Sequence, residues 1–239
     1  MTRFLLDGRE VEAQLDETIW QAAKRLGTGI PHLCYTPQPG YRADGNCRAC
    51  MVEIEGERVL APSCKRKPAE GMKVVSASER AKKSRDLVFE LLLADQPART
   101  TAHDGDSKFW HWAEAIGVTD SRFPAREATP VSDRSHPAMA VNLDACIQCN
   151  LCVRACREVQ GNDVIGMAFR GHHSEIVFDF ADPMGNSTCV ACGECVQACP
   201  TGALLPATLV DEKNIGVAKA QEKIDSLCPF CGVGCQLTF

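Results

Sequence analysis

Two stretches in the second half of the chain decide the fold: residues 146–156, CIQCNLCVRAC, and residues 189–199, CVACGECVQAC. Each stretch spaces its four cysteines as C-x2-C-x2-C-x3-C, so the second repeats the first. Three thiols this close in sequence meet at one site only where the backbone folds into tight loops. The sequence therefore indicates an internal duplication built around two groups of thiols.

This spacing is that of the bacterial ferredoxin ligand run, in which three neighbouring thiolates hold three irons of a [4Fe–4S] cluster and the fourth ligand comes from the other run. Pro200 after Cys199 matches the fuller signature, whereas Arg157 after Cys156 does not. Exchange of the fourth ligand assigns one cluster to Cys146, Cys149, Cys152 and Cys199, and the other to Cys189, Cys192, Cys195 and Cys156. Two adjacent one-electron centres predict electron transfer, and a pair of zinc sites is the alternative.

The composition agrees with small domains held together by what the cysteines bind. The chain has 239 residues, 15 of them cysteine, with a net charge of −5 and 45% hydrophobic residues, so few apolar side chains remain once the cysteines are set aside. Nearly all cysteines have C-x2-C or C-x3-C spacing, which favours metal over disulfides in a reducing compartment.

Several function classes are disfavoured. Residues 1–8, MTRFLLDG, lack the apolar core of a signal peptide, which predicts a cytoplasmic protein. The longest apolar stretch, residues 87–94, is short and contains Glu90, so no membrane span is expected. The chain is acidic, so Arg80, Lys82, Lys83 and Arg85 are interpreted as a solvated helix face and not as a nucleic-acid site.

The first 78 residues predict a strand–helix–strand unit. Residues 4–13 alternate around Asp7-Gly8, which is typical of a hairpin with a type I′ turn, and a helix follows from residue 19 to Gly27. Residues 51–60 alternate around Glu55-Gly56, and residues 73–75 predict a further strand. The thiols of this unit, which suit a [2Fe–2S] cluster but on spacing alone leave zinc open, are Cys34, Cys47, Cys50 and Cys64.

Residues 79–138 predict a helical connector. A first helix begins at Glu79 and places Leu87, Val88, Leu91 and Leu92 on one face. A second, short helix contains residues 109–112, FWHW, whose aromatic rings are expected to anchor packing. Residues 139–210 hold the repeated runs, with paired strands at 164–170 and 174–180 that turn at 171–173.

Residues 211–239 are a charged linker followed by LCPFCGVGCQLTF at 227–239. Cys228, Cys231 and Cys235 have the spacing C-x2-C-x3-C and predict a partial [4Fe–4S] site whose fourth ligand is missing from the chain.

Three segments, IPHLCY at 30–35, GNCRACMVEI at 45–54 and APSC at 61–64, resemble the N-terminal [2Fe–2S] domain of the complex I 75-kDa subunit and of related subunits in NAD-linked hydrogenases and formate dehydrogenases. The resemblance implies an α+β chain, with a β-grasp [2Fe–2S] domain followed by a two-cluster bacterial-type [4Fe–4S] ferredoxin domain. The relatives usually hold a further [4Fe–4S] cluster through one histidine and three cysteines. No cysteine lies between Cys64 and Cys146, so that cluster is predicted absent. His103 is then expected to be a surface histidine without metal, and structural roles are expected for His111, His136, His172 and His173.

The segment LCPFCGVGC at 227–235 resembles the start of molybdopterin oxidoreductases of the formate dehydrogenase class. The order of the segments is therefore similar to the N-terminal part of the α subunit of cytoplasmic NAD-dependent formate dehydrogenases. This resemblance implies electron transfer from a molybdenum or tungsten pterin site, held by the remainder of that subunit, toward flavin/NAD-binding and other iron–sulfur subunits. No catalytic residue and no formate oxidation are expected of these 239 residues alone. The alternatives are the small diaphorase subunit of an NAD-reducing hydrogenase, which does not explain CPFCGVGC, and a non-redox zinc-binding scaffold.

Overall fold

A five-stranded sheet forms the N-terminal part of the computed structural model, which describes residues 2–216, 224–229 and 232–238. Its strands are β1 (Thr2–Leu6), β2 (Arg9–Ala13), β3 (Met51–Ile54), β4 (Ala61–Pro62) and β5 (Lys73–Val75), in the order β2-β1-β5-β3-β4. β1 pairs antiparallel with β2 and parallel with β5, whereas β3 is antiparallel to both β5 and β4. The parallel pair places the first and last strands of the unit side by side in the sheet.

The predicted first hairpin is confirmed. Asp7 and Gly8 have φ of 50° and 79°, the two positive values that a type I′ turn requires. The alternation at residues 51–60 forms a strand only as far as Ile54, where β3 ends, and β3 pairs through Val52 with Ala61. Residues 55–60 lie between the two strands, and Val59 among them is 58% exposed.

The predicted helix, α1 (Ile19–Arg25), packs its buried residues on one face of this sheet. Thr18 caps it through a capping box, in which the Gln21 backbone N–H donates to Thr18 Oγ1 and the Gln21 side chain accepts from the Thr18 N–H. Ile19, Trp20 and Ala22 join strand residues such as Phe4 and Val52 in one core.

The connector consists of α2 (Glu79–Ala94), a 3₁₀ turn at Arg99–Thr101 and α3 (Lys108–Ile116). Phe109 and Trp110 are buried, which confirms their packing role. The predicted apolar face of α2 is only partly buried: Leu92 packs against the core, whereas Leu87 and Leu91 are 42% and 48% exposed.

The buried face of α2 instead consists of Ala81, Arg85 and Phe89, with the Phe89 ring stacked on Phe109 at 5.7 Å. Arg85 is therefore not part of a solvated face. It donates to the carbonyls of Ala81 and Ser76, which offset the cost of burying its charge, and burial lowers its pKa.

The described C-terminal part has three two-stranded sheets and two short α-helices. β6 (Met139–Val141) pairs with β9 (Leu204–Pro206), and β7 (Ile165–Ala168) pairs with β8 (Glu175–Phe178), the predicted hairpin. α4 (Leu151–Arg154) and α5 (Glu194–Ala198) each follow one cysteine loop. Single 3₁₀ turns lie at Leu143–Ala145, Gly171–His173, Met184–Asn186 and Ala207–Leu209. β10 (Asp225–Leu227) and β11 (Gln236–Thr238) pair antiparallel. Among the described helices none is long and apolar enough to cross a bilayer.

Candidate metal centres

The four N-terminal cysteines come close together in the 2Fe-2S unit, where Cys50 and Cys64 belong to its core and Cys34 packs against Cys149 and Leu151. Cys34, Cys50 and Cys64 are at most 1% exposed, and the backbone N–H groups of Cys34 and Cys47 each donate to the sulfur of the other residue, at 3.4 and 3.5 Å. Amide donors directed at sulfur stabilise a thiolate ligand. The structure thus unites all of the predicted [2Fe–2S] ligands.

The charges of these thiols depend on one another. Hydrogen bonds from Cys47 and Cys64 lower the pKa of Cys34 to about 2, and a hydrogen bond from Cys64 lowers the pKa of Cys50. The same bonds raise the pKa of Cys47 and of Cys64. Four thiolates this close together require cations between them, so the donor set fits an iron–sulfur cluster.

The eight cysteines of the repeat line two separate cavities. One is walled by Cys146, Cys149, Cys152 and Cys199, and the other by Cys156, Cys189, Cys192 and Cys195. Each cavity takes three thiols from one run and one from the other, which is the exchange that the sequence predicts. Among the described residues, no three His, Cys, Asp or Glu side chains are placed to hold a single metal ion.

The two cysteine loops share one backbone shape. Gln148 and Asn150 in the first loop have φ of 50° and 62°, and the equivalent Ala191 and Gly193 in the second have 58° and 77°. In both loops the residue after the first left-handed position is a cysteine, and the N–H of Gln148 or Ala191 donates to the preceding cysteine sulfur, at 3.5 and 3.4 Å. Left-handed residues turn successive N–H groups toward the cavity, where they solvate a negative charge.

Burial makes isolated thiolates costly at these sites. Desolvation raises the pKa of Cys146 to about 11 and that of Cys195 to about 12, and it raises the pKa of Cys149 and Cys152 further. Because metal ions supply the missing positive charge, these thiols fit as cluster ligands.

Cys156 lies in a single π-helical turn, Ala155–Val159, that continues α4. Its sulfur accepts a hydrogen bond from the Val164 N–H at 3.3 Å. Cys156 lines the second cavity although it belongs to the first run. Single π-helical turns of this kind are frequent at functional sites.

In the tail, the Cys228 N–H donates to the Cys235 carbonyl at 2.8 Å, so β10 and β11 bring these two residues together. Cys231, the third predicted ligand there, lies outside the described residues.

The prediction that His103 is a surface histidine is wrong, because the residue is 7% exposed. Its Nδ1 lies 2.8 Å from the Asn214 carbonyl and its Nε2 lies 2.9 Å from the Asp144 carboxylate. Gly202 packs so closely that an added Cβ would lie 2.7 Å from His103 Cβ. The histidine is buried because the connector, the dicluster region and the linker meet at this point.

Comparisons with known proteins identify the two cysteine-rich domains. Residues 1–79 match the family described as "2Fe-2S iron-sulfur cluster binding domain", and residues 145–203 match "4Fe-4S dicluster domain". A solved NAD+-reducing [NiFe]-hydrogenase, in its H2-reduced state, contains a chain that is 31% identical with a TM-score of 0.77, and the match covers 86% of this chain and 87% of that one. The chain belongs to this family of iron–sulfur subunits.

The curated relatives that the chain matches are longer than the chain itself. A subunit of the NADH-quinone oxidoreductase of Rhizobium meliloti is 34% identical over all of this chain, and the HndD subunit of the NADP-reducing hydrogenase of Solidesulfovibrio fructosivorans is 33% identical over 86% of it. The chain spans 27% and 36% of the length of these two relatives. It is an iron–sulfur electron-transfer segment with a 2Fe-2S domain and a 4Fe-4S dicluster domain.

Two cations at the junction between the two cysteine domains were not found by sequence reasoning. Arg154 is 3% exposed and donates to the Cys34 carbonyl at 2.7 Å, and Lys108 Nζ donates to the Tyr35 carbonyl at 2.9 Å. Burial lowers the pKa of Lys108 to about 8, against the opposing effect of Cys149 and Cys47. No local pattern marks these residues, because their partners lie 120 and 73 positions away.

Proposed function

We propose that the chain is the iron–sulfur electron-transfer segment of the α subunit of a NAD-dependent formate dehydrogenase. In this proposal it carries electrons from a molybdenum or tungsten pterin site, outside these 239 residues, toward a flavin/NAD-binding subunit. The observation that carries it is the combination, in one chain, of the relatives' two domains with the CPFCGVGC segment, whose Cys228 and Cys235 are hydrogen-bonded.

The clusters proposed are one [2Fe–2S] on the N-terminal thiols and two [4Fe–4S] on the exchanged sets. When bound, each supplies a one-electron redox centre. The protein's own contribution is to hold the thiolates, to direct N–H groups at sulfur, and to exclude water, which together set the reduction potential and limit reorganisation. A further partial site is proposed at Cys228, Cys231 and Cys235.

We also infer that the first sheet is a β-grasp, which its strand order and the parallel β1–β5 pair support. The proposed domains are 1–78, a connector 79–138 without the histidine/three-cysteine cluster, 139–210, and the linker with the start of a molybdopterin domain at 211–239. Other iron–sulfur and flavin subunits are the proposed partners, in the cytoplasm.

A second candidate is the small diaphorase subunit of an NAD-reducing hydrogenase, which the hydrogenase chain at 31% identity supports equally well for residues shared by both families. The two candidates differ in the electron donor. In the native complex, formate should reduce the clusters under the first proposal and H2 under the second, as followed by bleaching of the visible absorption.

Iron and acid-labile sulfide per chain, on anaerobically purified protein, test the cofactors directly. About 10 iron atoms are expected for one [2Fe–2S] and two [4Fe–4S] clusters, and about 14 if a fourth cluster assembles in the tail. The variant Cys152→Ala should lose about four irons and keep the [2Fe–2S] EPR signal, while Cys50→Ala should lose the [2Fe–2S] signal and keep the [4Fe–4S] signals. Zinc in place of iron, or unchanged iron in both variants, would sink the assignment.

A further inference from the structure

Residues 40–46, the loop that leads into Cys47, dock on the dicluster domain. The Tyr41 hydroxyl donates to the Glu194 carboxylate at 2.8 Å, the Arg42 guanidinium pairs with Glu158 at 2.7 Å, and Asn46 Nδ2 donates to the Cys149 carbonyl at 3.3 Å. One side of each contact belongs to the 2Fe-2S domain and the other to the 4Fe-4S dicluster domain. We name this segment the docking loop.

Arg154, on α4, occupies the centre of this junction. Its Nη2 donates to the carbonyls of Cys34 at 2.7 Å and Cys149 at 3.4 Å, its Nη1 donates to the Arg42 carbonyl, and its Nε lies 3.1 Å from the Asp44 carboxylate. One guanidinium thus bonds the backbone of a proposed [2Fe–2S] ligand and the backbone of a proposed [4Fe–4S] ligand.

A buried guanidinium is stable only where every donor has a partner. Its fork is planar and rigid, so moving either domain breaks several charge-assisted bonds at once. Its charge is paired with the Asp44 carboxylate, so the bonds at this junction join charged groups to each other and to backbone carbonyls. Cys34, Cys149 and Leu151 form one buried apolar cluster and Arg154 is 3% exposed, so the bonds are shielded from solvent.

We propose that Arg154, together with Asp44, is a positioning residue that locks the 2Fe-2S domain onto the dicluster domain and thereby sets the electron exchange between their centres. The inference rests on the proposed electron-transfer function. It adds a device for that function in this chain: a single side chain, bonded to the backbone of both domains, fixes the separation of two redox centres.

The test compares Arg154→Gln, which removes the charge and the fork, with Arg154→Lys, which keeps the charge alone. Lys108→Met removes a nearby charge and leaves the fork in place. Arg157→Gln is the matched control, since Arg157 lies three residues further on, has a side chain that is 54% exposed, and pairs with Asp163. Each anaerobically purified full chain is examined by EPR, by redox titration, and by amide hydrogen exchange of residues 40–47.

Arg154→Gln should keep its iron, lose the dipolar broadening between the reduced [2Fe–2S] and [4Fe–4S] centres, and exchange the docking-loop amides about tenfold faster or more. Arg154→Lys should show faster amide exchange in the docking loop, with reduction potentials that stay near normal. Lys108→Met should show lower reduction potentials and normal amide exchange. Arg157→Gln should match the wild type. Arg154→Gln with full iron, unchanged broadening and unchanged exchange would overturn the proposal.

Should Arg154→Gln fail to fold, Asp44→Asn takes its place, with the same loss of broadening expected, because Asp44 holds the fork from outside the dicluster domain. The two proposals fail in different ways. If the wild-type chain contains no iron, the electron-transfer proposal fails. Comparing amide hydrogen exchange of the docking loop between that chain and Arg154→Gln would still show whether Arg154 holds the domains together.

Discussion

At the residue scale, the two cysteine loops differ in the residue that takes the second left-handed position. That residue is Asn150 in the first loop and Gly193 in the second, and a Cβ at Gly193 would meet nothing within 4 Å. A substitution at Gly193 therefore tests backbone conformation alone, since no steric clash adds to it. Asparagine tolerates positive φ, whereas a β-branched residue is strained there.

We expect Gly193→Asn to keep near-normal stability, and Gly193→Val to lose about 1–2 kcal/mol together with part of the iron of the second cavity. The measurements are the thermal midpoint and the iron content of anaerobic protein. Equal effects of the two substitutions would show that the loop does not require the left-handed conformation.

The thiols were predictable one by one, because a ligand run is a local pattern and the exchanged fourth ligand follows from the duplication. The π-helical turn at Ala155–Val159, which contains Cys156, was not predictable, because nothing in the sequence ACREV marks it. The environment of His103 was not predictable either, because its partners Asp144 and Asn214 lie 41 and 111 positions away.

At the element scale, α2 shows where periodicity leaves a choice of face. The helix places Leu87 and Leu91 on one side and Ala81, Arg85 and Phe89 on the other, and α3 covers the second side through the Phe89–Phe109 stack at 5.7 Å. Arg85 makes the buried side read as polar in the sequence. The cost of burying its charge is offset by backbone carbonyl acceptors, which the sequence does not reveal.

Phe89→Ala should therefore destabilise the protein by about 3–4 kcal/mol, because the ring is fully buried and leaves a cavity. Leu91→Ala, two residues further along the same helix and 48% exposed, should cost less than about 1 kcal/mol. Denaturant unfolding of both variants measures the difference. A larger loss of stability for Leu91→Ala would mean that the side of α2 that carries Leu87 and Leu91 is the buried one.

At the scale of the whole molecule, the order of the domains was predictable and their contact was not. Hairpins, helices and ligand runs each depend on neighbours in sequence, whereas the docking loop contacts residues 103 to 153 positions away. Such contacts depend on shape and on a few buried polar groups, and no spacing encodes them. The same holds for the tether at His103, which joins three separate segments.

The His103 tether gives the stability of the molecule a pH dependence. Burial acts to lower the pKa of His103, but the hydrogen bonds to Asp144 and to the Asn214 carbonyl outweigh it and raise the pKa above 6.5. A histidine whose pKa is raised by folding contributes its full stabilisation below the unfolded value, and that stabilisation is lost as the pH rises through the folded value. The thermal midpoint should therefore fall as the pH is raised from about 6.5 into the alkaline range.

His103→Gln, which keeps hydrogen-bonding groups but cannot be charged, should flatten this dependence and lower the midpoint most at acidic pH. His111→Gln is the control, because His111 is an exposed residue of α3, and its profile should follow that of the wild type. Thermal unfolding of the anaerobic proteins at matched ionic strength provides the three profiles. If His103→Gln and the wild type lose stability in parallel as the pH rises, the ion pair with Asp144 does not hold the connector, the dicluster domain and the linker together.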